Sequence, residues 1–440
     1  MKLLNFWPTY NESFITDKNL SLRSDTNFRY AWDQRVGRVV MKFSLGPGAM
    51  VAAAFIGPGT VTTATAAGAV TGMSLVWAIF LSIIATLVLQ ELAVRLALAT
   101  NMDLAQLIRY AGTGRWWRLP VIALVVIAIG VGNAAYQSGN LSGAAIGLSA
   151  AFAVGFDGVV MLTSAIACCL ILLDQYRVLE RVLVALVGIM ALLFIGLAFL
   201  CLPALASLEP HRLMPGGSMN EITLVLALIG TTVVPYNLFL HATAARRRWQ
   251  GVAAEEAIKE AKSESRFAIV IGGFITIAIM AVAAAVLSTD TQEGVIEALI
   301  GAVNERFFGL GTWIIGGGLF VAGLTSAIAA PVAAGWAVSG VLGYTTDPHS
   351  RPFRWVSLGV LFTGGVFSIL TERPISLIVT AQAANALALP IIAGLLVVVA
   401  NHKLVPVNYR NSLALNLVAV FVIVLVALLS VMKILGILLS

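Results

Sequence analysis

The sequence predicts an all-α integral membrane protein of about eleven spans, the first ten arranged as two inverted five-helix repeats with breaks in helices 1 and 6. Three observations carry that prediction. First, 59% of the 440 residues are apolar and only 11% are charged, with a mean hydropathy of +0.95. Soluble proteins carry about 25% charged residues, so the main solvent of this chain is lipid. Second, the chain divides into apolar segments that reach the roughly 20 residues needed to cross a bilayer. Third, helix-breaking residues fall midway along the first and sixth of these segments. The composition excludes a soluble enzyme, a secreted disulfide scaffold and a disordered regulator.

In chain order the predicted spans lie near 45–71, 74–98, 119–150, 158–174, 179–203, 220–243, 266–287, 310–342, 355–371, 374–400 and 411–437. The longest need tilt or a neighbouring short helix. Residues 1–42 are polar and carry seven Lys/Arg without the apolar run of a signal peptide, which reads as a cytosolic tail. With that tail inside, 23 of the 27 Lys/Arg fall in the tail and the loops on its side of the membrane. By the positive-inside bias the N-terminus is cytoplasmic and the C-terminus outside. The net charge of +6 is therefore a topology signal, and Arg246, Arg247 and Arg248 require no nucleic acid to explain them. The expected location is the plasma membrane, as in a bacterial inner membrane, with the chain multi-pass and monomeric. The expected domains are the tail 1–42, a transport core 43–400 of repeats 43–203 and 220–400, and an additional helix in 401–440.

The first break is Phe55-Ile56-Gly57-Pro58-Gly59-Thr60 and the second is Val233-Val234-Pro235-Tyr236-Asn237. The alternative is a pair of ordinary proline kinks. Matched breaks in spans 1 and 6 imply repeats with an odd number of helices, the second inserted upside down. That is the pattern of secondary transporters that hold substrate at the midplane between discontinuous helices.

Several stretches carry a specific resemblance. Gly57-Pro58-Gly59-Thr60 resembles the Asp-Pro-Gly-Asn break of the NRAMP family of proton-coupled divalent-metal transporters. Val234-Pro235-Tyr236-Asn237-Leu238-Phe239-Leu240-His241 is similar to its Met-Pro-His-Asn-Leu-Tyr-Leu-His stretch. Gln90-Glu91-Leu92-Ala93-Val94-Arg95-Leu96 resembles its second span, and Asp103-Leu104-Ala105 comes after that span as in the family. Leu319-Phe320-Val321-Ala322-Gly323-Leu324-Thr325-Ser326 resembles its eighth span, and Gln382 with Leu387-Ala388-Leu389-Pro390 its tenth. The resemblance covers nearly all of residues 43–400 and implies the LeuT-like fold. The family's metal ligands do not carry over. Gly57 stands for its ligating Asp, Thr60 for its Asn, Val234 for its Met and Tyr236 for its first His. Only His241 matches the second His, and the acidic positions of the third helix fall on Gln137 and Asn140.

The residues alone give the same expectation. Glu91 is the clearest acidic residue inside a span, and its spacing from Arg95 predicts an ion pair on one helix face. No carboxylate lies near either break, and a buried double charge without a counter-charge is costly. The sequence therefore predicts uptake of a small neutral polar organic solute of urea or amide type, with no metal ligands and no cofactor. The predicted substrate-binding residues are Phe55, Gly57, Thr60, Gln137, Asn140, Thr231, Val234, Tyr236, Asn237, Gln382 and Asn385, with Tyr236 or Phe55 as an aromatic wall. Each polar member has the alternative role of an interhelical hydrogen bond.

His241 is the predicted proton-coupling residue, with a neutral interhelical histidine as its alternative. Two rivals stand beside the neutral solute. One is a divalent-ion transporter for Mg²⁺ or Mn²⁺ that uses carbonyls and retained water. The other is a membrane scaffold. No P-loop, HExxH or nucleophile elbow supports an enzyme. Residues 252–266 read as a charged surface helix, Trp313 and Trp336 as packing or interface anchors, and Cys168, Cys169 and Cys201 as small buried hydrophobes.

Overall fold

The computed structural model describes residues 46–152, 154–173, 176–206, 219–287, 294–371 and 374–439. The tail expected over 1–42 lies outside the described residues. Among the described residues the regular structure is all helical, with no strand. Among the described residues, seven helices are long and apolar enough to cross a membrane, a bent pair makes an eighth, and Phe156–Leu172, Ala388–Ala400 and Leu413–Leu429 are shorter apolar helices. Each lies on one of the eleven predicted segments, and eight of those segments, counting the bent pair, are long and apolar enough to span.

The first span is two helices, α1 (Gly46–Phe55) and α2 (Pro58–Thr71), meeting at 54°. Ile56 and Gly57 are non-helical, and the extended Gly57 caps α2. Pro58 has no N–H to offer the Ala54 carbonyl, so the helical ladder stops there. The next spans are α3 (Val76–Thr100), the short α4 (Leu104–Ala111) and α5 (Arg118–Phe152), which contains a π-helical stretch at Val126–Val131. α6 (Phe156–Leu172) and α7 (Tyr176–Leu200) complete the first half.

The sixth span repeats the design. α8 (Met219–Thr232) ends, Val233 and the extended Val234 intervene, and α9 (Pro235–Arg248) begins with its proline in the first turn, where a missing N–H costs nothing. α10 (Ala254–Val286), α11 (Val295–Arg306), α12 (Thr312–Leu342), α13 (Arg351–Leu370), α14 (Pro374–Ala400) and α15 (Leu413–Leu439) complete the chain.

Burial ranks the spans. In the broken span Glu221–Arg248, 89% of an apolar 18-residue stretch is buried, against 28% in Glu180–Leu200. The polar breaks therefore sit at the centre, and apolar residues such as Phe362, Phe367, Leu417 and Phe421 are exposed on the outer helices, where lipid accepts them. α9 packs on α1, α3 and α12, while α10 packs on α1, α2 and α3.

Four sequence expectations change here. Residues 252–266 are not a separate surface helix, because from Ala254 they are continuous with the seventh span in α10. Glu91 does not pair with Arg95. It contacts Lys262 at 2.6 Å and Arg266 at 4.0 Å on α10, whereas Arg95 donates to the Tyr409 carbonyl and to Asn411 Oδ1 at 2.6 Å. Tertiary partners outcompete the i,i+4 neighbour. Cys169 is exposed on α6, while Cys201 is buried. Finally, the short helix α11 precedes the eighth span without having been predicted.

At one end of the bundle the buried Asp103 accepts from Arg246 at 2.8 and 3.2 Å and from the Thr346 hydroxyl at 2.6 Å. It ties the start of α4 to α9 and to the chain between α12 and α13. Trp336 is buried beneath the Arg247 guanidinium, 5.0 Å from its ring centre, and Trp313 meets Phe152 edge-on at 5.2 Å.

Candidate functional site

Each break frees backbone carbonyls, and unpaired carbonyls in a membrane interior are expensive. At the first break, side chains from elsewhere satisfy them. Tyr236 donates its hydroxyl to the Ala54 carbonyl at 3.0 Å, replacing the donor that Pro58 lacks. Asn237 Nδ2 donates to Val51 at 3.1 Å and Ser326 Oγ to Ala53 at 3.3 Å. Thr60 Oγ1 donates to the Phe55 carbonyl, so the Thr231 hydroxyl is the donor in the 2.7 Å bond between the two threonines. Residues of the second break thus hold the first. At the second break, Pro235 likewise offers no N–H to the Thr231 carbonyl.

The side chains converging on this point leave acceptors and donors unused. Asn237 Oδ1 and Gln382 Oε1 are buried without a hydrogen-bond partner. The Tyr136 hydroxyl faces Gln382, Tyr236 and Thr231 yet makes no hydrogen bond of normal geometry, and its ring meets Tyr236 edge-on at 5.4 Å. Buried polar groups normally find partners, which makes this cluster the candidate site. No ionisable Asp, Glu, Lys or Arg belongs to it. Among the described residues, no group of three or more His, Cys, Asp and Glu is placed to hold a metal.

The structure brings together Thr60, Thr231, Tyr236, Asn237 and Gln382 of the predicted set. Val234 contributes backbone, its carbonyl accepting from Asn237 N at 3.0 Å. Gly57 lies beside Ser326 and Asn140. A Cβ there would come 2.5 Å from Ser326 Oγ and 3.7 Å from Asn140 Oδ1, so the serine hydroxyl fills the space a side chain at residue 57 would need.

Two predicted members turn elsewhere. The Phe55 ring packs against Gly272 of α10, so Phe55 supplies its carbonyl to the site and no aromatic wall. Gln137 is fully engaged, donating to the Ala327 carbonyl at 3.0 Å and accepting from Asn140 at 3.2 Å. Asn133 does likewise one turn earlier, bonding the Ala330 carbonyl at 3.0 Å. Asn385 lies on α14, with its side chain outside the described residues. Tyr136 and Ser326 complete the cluster although the sequence did not assign them. The available signal was helical spacing, since Tyr136 shares a face with Asn140 four residues on.

His241 is buried one turn beyond Tyr236. Its Nδ1 lies 3.0 Å from Gln90 Oε1 and its Nε2 3.0 Å from Ser265 Oγ. Ser265 donates its own proton to the Ala261 carbonyl at 2.6 Å, so the serine oxygen accepts from His241 Nε2–H. A primary amide presents either an oxygen or an NH₂ to its neighbour. Gln90 therefore suits both the neutral ring and the protonated one.

Two broken spans laced together around an uncharged polar cluster, in a helical membrane bundle of LeuT-like fold, are the architecture of a membrane transporter. Residues 48–436 match the model of the Nramp (natural resistance-associated macrophage protein-like) family, and the chain belongs to that family. Its members are transporters, not enzymes. A relative in Bradyrhizobium diazoefficiens, named divalent metal cation transporter MntH, is 28% identical over 361 residues, covering 79% of this chain and 78% of that one. The manganese transporter of Eremococcus coleocola shares the fold with a TM-score of 0.73 at 19% identity, over 89% of this chain and 86% of that one. MHP1, a nucleobase-cation-symport-1 family transporter, is similar at a TM-score of 0.57 and 14% identity, over 89% and 92% of the two chains.

These relatives correct the expected cargo. They are named for divalent metal cations and manganese, which overturns the reading of a small neutral organic solute as substrate and partner. The physical reason is that a missing carboxylate argues only against a fully dehydrated ion. Neutral hard oxygens and retained water are suitable ligands for a hard cation.

Proposed function

We propose that this chain carries a divalent metal ion across the membrane, bound at the two breaks with part of its water shell, and that Mg²⁺ fits the site best. The observation that carries the reading is two buried oxygens without partners on residues packed against the first broken span: Asn237 Oδ1, whose Nδ2 bonds the Val51 carbonyl, and Gln382 Oε1, whose side chain lies over Gly59. Amide, hydroxyl and carbonyl oxygens are hard ligands, and Mg²⁺ keeps several waters where it binds. The half-helices α1 and α8 both end at this point, and the negative ends of their dipoles favour a cation. Proteins named as divalent metal transporters in the same family add support.

Thr60, Thr231, Tyr236, Asn237, Gln382 and the Thr231 carbonyl are the groups proposed to face the ion or its waters, with Tyr136 and Asn140 beside them. The repeats 43–203 and 220–400 rock about this point, residues 401–440 add an outer helix, and residues 1–42 form a cytoplasmic tail. The Lys/Arg asymmetry supports a cytoplasmic N-terminus and an external C-terminus. Proton coupling through His241 is part of the proposal, motivated by its burial between two hydrogen-bonding partners.

Uptake into proteoliposomes, followed with Mg²⁺- and Mn²⁺-sensitive dyes, tests the cargo. Saturable uptake is expected, and Gln382→Met should raise KM about tenfold by removing a ligand oxygen. A folded wild-type protein that takes up neither ion overturns the reading.

A further inference from the structure

We propose that Ser265 is the outlet of a proton path, passing the His241 proton into a cleft between α3 and α10 where Glu91 receives it. This deepens the coupling reading above and rests on it. Ser265 has two sides. Its hydroxyl oxygen lies 3.0 Å from His241 Nε2, and the residue also lines a cleft with Ile84, Val88, Glu91, Lys262 and Arg266. The histidine itself is fully buried. The cleft is thus one serine away from a histidine that is otherwise sealed off. Its charged residues stand where a proton would emerge, with Glu91 25% exposed and held by Lys262 at 2.6 Å.

The step balances without any further reagent. His241 Nε2 gives its proton to Ser265 Oγ. The Ser265 hydroxyl swings from the Ala261 carbonyl and gives its former proton to water in the cleft. One N–H and one O–H bond break and two O–H bonds form, leaving the imidazole neutral and the serine a hydroxyl. The Glu91 carboxylate then takes the proton from water. On the other side of the ring, the Nδ1–H that remains after Nε2 is deprotonated keeps donating to Gln90 Oε1, so the neutral ring stays paired at Nδ1.

Charged side chains lie on several of the elements packed around His241. Glu91 and Arg95 lie on α3, with Lys262, Glu264 and Arg266 on α10 and Arg246, Arg247 and Arg248 at the end of α9. α4 adds Arg109, and α1, α12 and α14, which also pack on α9, carry no ionisable side chain. Glu91 is the carboxylate that shares a cleft with Ser265. A purely structural serine would hold the ring in place and have no reason to open onto that cleft.

Proteoliposomes containing a pH dye and driven by a Mg²⁺ gradient test the path. Metal-driven proton flux should fall about tenfold or more in Ser265→Ala, within the usual range for removing a proton-transfer group, and Ser265→Thr should restore it. Wild-type flux in Ser265→Ala overturns the proposal. Should Ser265→Ala fail to fold, Ser265→Cys in a background with Cys168, Cys169 and Cys201 replaced by serine gives a second reading. A membrane-impermeant thiol reagent should then label the cysteine and block proton flux. Absence of labelling, or labelling with unchanged flux, overturns the proposal. A wild-type protein that moves metal without protons overturns the coupling itself, a result distinct from failure of the relay alone.

Discussion

Replacing Gly59 by alanine is expected to leave the protein folded and to remove most of its transport at ion concentrations below KM. A Cβ at residue 59 would lie 1.7 Å from Gln382 Nε2 and 2.3 Å from its Cδ. Those atoms are the end of a flexible side chain, so the clash is relieved by moving Gln382 rather than a helix. The backbone at residue 59 is helical, and alanine favours a helix over glycine by up to about 1 kcal/mol. Thermal stability should therefore hold or rise while KM rises about tenfold, as for loss of the Gln382 oxygen itself. The two changes act through one group, so Gly59→Ala combined with Gln382→Met should be little worse than either alone. Additive losses would show that Gln382 does not work through its position over the break.

Gly68→Ala should have the opposite signature. There the added Cβ would lie 2.2 Å from the Met280 carbonyl oxygen and 2.9 Å from the Ala283 Cβ on α10. The nearest obstacle is backbone, which no rotamer relieves, so α2 and α10 must separate. Overpacking of this kind costs about 1–3 kcal/mol, which exceeds the gain in helix propensity. The melting temperature in detergent should fall by several degrees, and expression with it. An unchanged melting temperature would mean that α2 and α10 do not approach as closely as described. Set side by side, the two glycines separate a residue needed for the site from one needed for the bundle.

Much of the architecture was legible in the sequence because lipid imposes strict rules. Apolar length marks the spans, and Pro58 and Pro235 mark the breaks by removing a backbone donor. The rotation of each helix was less legible. Asn133 and Gln137 form one i,i+4 row that bonds carbonyls of α12, whereas Tyr136 and Asn140 form the next row, which faces the breaks. Telling the two rows apart requires knowing where α12 sits. Phe55 illustrates the same limit. Its place beside the break is evident from the chain, but the direction of its ring is set by where α10 leaves room at Gly272.

Charge pairing failed for a related reason. Glu91 and Arg95 are spaced to meet on one helix, but Lys262 and the Tyr409 carbonyl are brought alongside by elements remote in sequence. The cargo was misjudged at a different level. Counting carboxylates measures how well a bare ion would be held, and it says little about an ion that keeps its water.

The central claim is that a cluster of neutral oxygens between the two unwound segments binds a divalent cation. Calorimetric titration of the purified protein with Mg²⁺ tests it most directly. Saturable heat at one ion per chain is predicted, with clearly weaker binding in Gln382→Met and in Gly59→Ala. Titrations of the folded wild-type protein that give no heat with Mg²⁺ or Mn²⁺ and no protection against thermal unfolding, or binding that both variants leave unchanged, would contradict the account.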